Sequence, residues 1–137
     1  MKKIALLTML FVAITAMAQE KKVVEFNERT HDFGTVKEED GKISTVFTFK
    51  NQFASPITLK SVKASCGCTS PNWSKEPVAP NGTGEITVTY SAAGRPGAFT
   101  KSVTVVLTNG TEDFTEVIYI KGQVTPKPVA PETTATK

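Results

Sequence analysis

Histidine, cysteine, tryptophan and methionine are all scarce in this 137-residue chain. His31 is the only imidazole, and no Gly-x-Ser-x-Gly elbow accompanies it, so proton-transfer or nucleophilic catalysis would lack a positioned base. Asp32 follows His31, but neighbouring residues of a strand point to opposite faces, so RTHDFGTV makes no catalytic dyad. A structural or surface role is expected for His31. No acid and base pair for attacking a carbohydrate or peptide stands out, and the chain is expected not to be an enzyme. The three methionines, Met1, Met9 and Met17, all lie in the N-terminal segment, which leaves no methionine-rich loop for copper further along.

Long apolar runs are missing too. Ile4 to Ile14 is the longest apolar stretch, preceded by Lys2 and Lys3 and followed by Ala16-Met17-Ala18. It falls short of the roughly 18 to 20 residues that cross a bilayer. A basic start, a short apolar run and a small-x-small site together predict a signal peptide over residues 1–18. No cysteine follows the site to take a lipid. The mature protein is expected to start at Gln19, to be soluble without membrane insertion, and to be periplasmic or secreted.

Excess charge of one sign is lacking once that segment is removed. Sixteen basic against 13 acidic residues become 14 against 13, a net charge of +1 over the remaining 119 residues. A nearly neutral domain with no basic patch is poorly suited to nucleic acid or anionic lipid. Its length suits one domain with a single core.

What the sequence does have is alternation. Ile43, Thr45, Phe47 and Phe49 share one face of ISTVFTFK, Ile86, Val88 and Tyr90 one face of EITVTY, and Val103, Val105 and Leu107 one face of KSVTVVLT. Period two marks half-buried strands, and the helical reading fails. EVIYIKG is apolar on both faces and predicts a strand covered on both sides. Val23–Phe26, Phe33–Val36 and Ile57–Ala64 are further candidates. Turn signals separate them at Glu39-Asp40-Gly41, Ala54-Ser55-Pro56, Pro80-Asn81-Gly82, Gly94-Arg95-Pro96-Gly97 and Asn109-Gly110. About seven short strands at this spacing predict an all-β, immunoglobulin-like antiparallel sandwich over residues 19–124. The cysteine–tryptophan–cysteine pattern of antibody domains is absent, so apolar packing alone must join the sheets. Residues 125–137, rich in proline and threonine, predict a disordered tail.

Smaller motifs have plain readings. Glu38-Glu39-Asp40 predicts a solvated hairpin turn, because its spacing fits no calcium loop. Asn72-Trp73-Ser74, Asn81-Gly82-Thr83 and Asn109-Gly110-Thr111 match glycosylation acceptors, yet two of them are Asn-Gly turns that need no glycan to explain them. Trp73 is expected to pack over an end of the core.

Cys66-Gly67-Cys68 is the most chemically committed stretch. In an extended strand the two Cα atoms would stand about 6.5 to 7 Å apart, at the outer edge of disulfide geometry. The glycine is expected to supply the bend that closes the pair, at the cost of strain. An oxidising compartment favours a disulfide, and so small a loop would add little stability. Alternatives are a Cu(I) site on two thiolates, a buried pair of free thiols, and a thiol-exchange site. No bound cofactor is expected.

HDFGTV, NQFASPITLKSVKASCGCTSP, GEITVTY, GAFTKSVTVVLTN and IYIKGQV, taken in order, resemble a bacterial exported family known as domain of unknown function fifteen-seventy-three. The likeness runs from about Phe26 to Val124 and centres on the CGCT box with its flanking FxN, PxTL and VxxS elements. The chain departs from the commonest proline–glycine turn by carrying Pro80-Asn81-Gly82. The resemblance implies a small sandwich similar to the major sperm protein, a scaffolding or interaction role, a periplasmic location and no known reaction. A noncatalytic binding or structural module is therefore expected, its partner an unknown exported protein or surface polymer. The alternative is a metal or thiol-redox protein using Cys66 and Cys68.

Overall fold

The computed structural model describes residues 22–128. The signal peptide read into residues 1–18 and all but the first four residues of the 125–137 tail lie outside them. Eight strands follow one another: β1 Val24–Phe26, β2 Thr30–Lys37, β3 Lys42–Asn51, β4 Thr58–Ala64, β5 Thr69–Trp73, β6 Thr83–Ser91, β7 Gly97–Thr108 and β8 Asp113–Thr125. They form two four-stranded sheets, ordered β1-β3-β6-β5 and β2-β8-β7-β4.

The inward faces follow the alternation. Phe47, Phe49, Ile86, Val88 and Tyr90 of one sheet meet Val103, Val105, Leu107, Ile118 and Ile120 of the other, all 2% exposed or less. At roughly 25 cal/mol per Å² of apolar surface removed from water, this shared layer is the main force holding the sheets together. Tyr90 stacks on Phe99 with ring centroids 3.9 Å apart, joining β6 to β7 across the interior. Two strand glycines make room for rings: Gly84 lies beneath Phe49 and Gly122 beneath Phe99.

Eight strands form where about seven were expected, TSPNW supplying β5; Pro71 is tolerated there since β5 pairs only with β6 and its other edge is unpaired among the described residues. Three expectations need correction. The sandwich is not wholly antiparallel, because β2 runs parallel to β8. For the same reason Glu38-Glu39-Asp40 is not a hairpin turn: it is a short 3-10 turn carrying the chain from β2 in one sheet to β3 in the other. EVIYIKG is covered on one side only, with Ile118 and Ile120 buried while Tyr119 remains 40% exposed. Its outer face meets no further layer among the described residues.

Asn51 is the one fully buried side-chain amide among the described residues. Its Nδ2 donates to the carbonyls of Ser55 and Val78 at 2.9 and 3.0 Å, and its Oδ1 accepts from the Phe53 N–H at 2.8 Å. The end of β3 is thereby tied to both loops at that pole of the sandwich, including the 74–82 loop that leads into β6. Asn81 takes a positive φ of 61° in that loop, and Asn109 Oδ1 accepts from the N–H groups of Thr111 and Glu112 at 2.8 and 2.7 Å in the β7–β8 turn. Both asparagines thus perform the turn chemistry read from their Asn-Gly pairs.

Candidate functional site

β4 and β5 are outer strands of opposite sheets on the same side of the sandwich, and residues 65–68 carry the chain from one to the other. The Ser65 N–H donates to the Ser102 carbonyl and the Ser91 N–H to the Cys68 carbonyl, both at 2.9 Å, which fixes the crossing at each end. Between these anchors the Thr69 N–H donates to the Cys66 carbonyl at 3.3 Å, closing a four-residue turn. The turn draws the Cys66 and Cys68 Cα atoms to 5.3 Å and the sulfurs to disulfide distance.

Gly67 does not act as expected. Its φ is outside the left-handed region, and nothing lies within 4 Å of where a Cβ would stand. The turn closes the pair without glycine's conformational freedom. The residue is instead a bare, exposed spot on the surface beside two sulfurs.

Burial divides the cysteines. Cys66 is half-buried, whereas Cys68 belongs to the core at 8% exposure. Thr69, 4% exposed, places its Oγ1 3.7 Å from the Cys66 sulfur and 3.8 Å from the Cys68 sulfur. No other described group bonds to that hydroxyl. In the sequence Thr69 stands only as the last residue of the CGCT box, and its position next to Cys68 is the one signal of a role. A Cu(I) ion would find two thiolates in the reduced pair and no third soft ligand beside them among the described residues. No group of three or more His, Cys, Asp and Glu side chains able to hold a metal occurs among the described residues.

The other sequence candidates lie apart from the cysteines in the structure. His31 Nδ1 is 2.8 Å from Glu28 Oε1, and the imidazole meets the Phe33 ring edge-on at 4.7 Å. Asp32 accepts from the Gly34 N–H at 2.8 Å and faces Lys121 at 3.6 Å. The Gly34 bond, aided by Lys121, holds its carboxyl below the ordinary aspartate value. Glu38 accepts from the Gly94 and Lys127 N–H groups at 3.0 and 2.9 Å, linking loops at the pole where β2 ends.

Trp73, at the end of β5, packs against the core as expected, but it also walls an open groove of about 650 Å³ under the 74–82 loop. Leu59, Asn72, Glu76, Pro77 and Glu85 contribute to the same walls. The indole N–H is enclosed, and no described residue accepts a hydrogen bond from it. The groove thus offers an aromatic ring, two carboxylates, an amide and several hydroxyls, with no cationic side chain in its lining.

A family model described as protein of unknown function (DUF1573) matches residues 24–124, including the CGCT turn and the groove. The chain belongs to that family. No curated protein matches the sequence. The DUF1573 fold seen here is similar to part of the Vibrio cholerae VesB protease, at a TM-score of 0.63 and 15% identity, over 74% of this chain and 32% of that one. It is similar to a protein of unknown function from Porphyromonas gingivalis, at a TM-score of 0.59 and 15% identity, over 74% of this chain and 46% of that one. It is also similar to the Pseudomonas aeruginosa CupB2 chaperone, at 0.52 and 12%, over 66% and 52%. The chain spans about a third to a half of the length of these proteins, and at such identities the likeness is one of fold.

Proposed function

We propose that this DUF1573 chain is an exported, noncatalytic binding module that holds an extended segment of another exported protein in the groove beside Trp73. The groove carries the reading: an open channel with one aromatic wall and an uncompensated pair of carboxylates, Glu76 and Glu85. Such a surface favours a ligand with apolar contact area and a basic side chain. Asn72, Ser74, Thr83 and Thr87 add groups that can bond to a peptide backbone. An exported location is supported by the basic, apolar and small-residue order of residues 1–18.

Extended peptides carrying a central Lys or Arg, immobilised beside matched peptides with Ala at that position, supply the test. The protein is expected to be retained by the basic set and released when Glu76 and Glu85 are both changed to Gln. Equal retention on both sets, or retention indifferent to the two glutamates, would overturn the reading. Retention on cell-surface polysaccharide instead would make the ligand a polymer.

A second reading, thiol exchange, is favoured by a separate observation. The sulfur pair adjoins an exposed glycine with open space above it, and the one hydroxyl touching the pair is buried.

A further inference from the structure

Resting on the second reading, we propose that exchange at this site has a fixed direction. An external thiolate attacks Cys66, Cys68 leaves with the electron pair, and the Thr69 hydroxyl donates a hydrogen bond to the thiolate that develops on Cys68. The site then donates a disulfide to a dithiol segment of another polypeptide.

Access sets the direction. A thiolate opens a disulfide from outside the bond, along its axis, and the rate depends on which sulfur can be reached. Cys66 opens the turn and is half-buried beside exposed Gly67, whereas Cys68 is enclosed in the core cluster. The sulfur that can be approached is therefore Cys66, and the buried one is the leaving group.

A thiolate formed at a buried position needs a donor. In the oxidised pair neither sulfur carries hydrogen, so Thr69 Oγ1, 3.7 and 3.8 Å from them, is the donor, its single hydrogen shared between the two sulfurs. Neutral disulfide sulfurs are weak acceptors, so the hydroxyl of a residue only 4% exposed is poorly compensated before reaction. A thiolate is a far better acceptor, and bonds to ionised groups are roughly twice as strong as neutral ones. Opening the bridge toward Cys68 thus improves the hydroxyl's own bonding.

The steps balance. The partner's thiolate bonds to Cys66 Sγ as the Cys66–Cys68 bond breaks, and its electron pair goes to Cys68, which later takes a proton from solvent. The partner's second thiolate then attacks its own sulfur in the mixed disulfide, releasing Cys66 as a thiolate that is also protonated. The partner has lost two electrons and two protons to form its disulfide, and this chain has gained both.

The test uses the full mature protein and glutathione as a monothiol probe. Acid-trapped mixed disulfide, mapped by fragmentation mass spectrometry, is expected on Cys66. Thr69→Val is expected to slow opening by about tenfold, the loss of one hydrogen bond to a charged group, and Thr69→Ser to restore it. In the reduced protein, the pH profile of Cys68 alkylation should move upward in Thr69→Val. A merely structural threonine would alter the melting temperature and leave that profile in place. If glutathione does not open the bridge at all, the exchange reading and this inference both fall. If it opens the bridge but the adduct sits on Cys68, or Thr69→Val opens at the wild-type rate, the inference alone is overturned.

Discussion

Replacing Gly84 with alanine would press a methyl group into a ring that has nowhere to go. Gly84 faces Phe49 across the β3–β6 pair, and an added Cβ would lie within 3.0 Å of three Phe49 ring carbons. Phe49 is 1% exposed and its ring already meets Phe26 at 5.7 Å, so it cannot swing into solvent. Overpacking of this kind costs about 1–3 kcal/mol. Against it stands the roughly 0.5–1 kcal/mol that alanine saves by restricting the unfolded backbone of a strand residue. The net is a loss of about 1–2 kcal/mol, which lowers the melting temperature of a domain this size by about 4–15 °C. Thermal unfolding followed by circular dichroism, with a urea midpoint as a second measure, reads it. Gly67→Ala is the matched control: the same atom is added at a site with open space and unrestricted φ, and stability should stay within about 0.5 kcal/mol with the cysteines still paired. A Gly84→Ala protein as stable as the wild type would refute the placement of the Phe49 ring. A Gly67→Ala protein that cannot pair Cys66 with Cys68 would restore the view that glycine's freedom closes the turn.

Two further outcomes follow from the polar contacts. Asn51→Ala removes the side-chain bonds to the part-buried Ser55 and Val78 carbonyls and from the Phe53 N–H, while the Val78 carbonyl keeps the Ile57 N–H; stability should fall by about 2 kcal/mol, and peptide retention in the groove should weaken because Val78 lies in its wall. Asp32 is bonded by the Gly34 N–H and attracted by Lys121, so its folded-state carboxyl titrates below the unfolded value. Its contribution is complete above about pH 4 and is lost as pH falls through the depressed folded value, which a carbon-detected NMR titration of its carboxyl would show directly; a midpoint at or above the ordinary aspartate value would contradict the Gly34 bond.

Strand residues were the most legible part of the sequence because each alternating face reports burial directly: Phe47, Phe49, Val103, Val105 and Leu107 were all placed inward by period two, and all are buried. Strand partnership was less legible. The alternation around Phe33 is the same whether β2 pairs with its neighbour in sequence or, as it does, with distant β8, so the sequence of the acidic turn reads equally well as a hairpin. TSPNW hid as a strand because a proline usually argues against one, and only the free edge of β5 makes Pro71 harmless. Cys66 and Cys68 announced themselves by spacing. Thr69 did not, since what sets its hydroxyl apart is enclosure between two sulfurs, a property of the folded turn. The groove was equally hidden: Glu76 and Glu85 are unremarkable surface residues until the 74–82 loop brings them to the same walls as Trp73.

Trp73 is the chain's only tryptophan, so its emission reports on the groove it walls and on the end of the core it packs against. Titrating the mature protein with a soluble extended peptide bearing a central Lys should give a saturable shift in Trp73 emission that disappears in the Glu76→Gln, Glu85→Gln double variant. An unchanged spectrum at saturating peptide, or the same shift in the double variant, would contradict the claim that this groove is where the module binds.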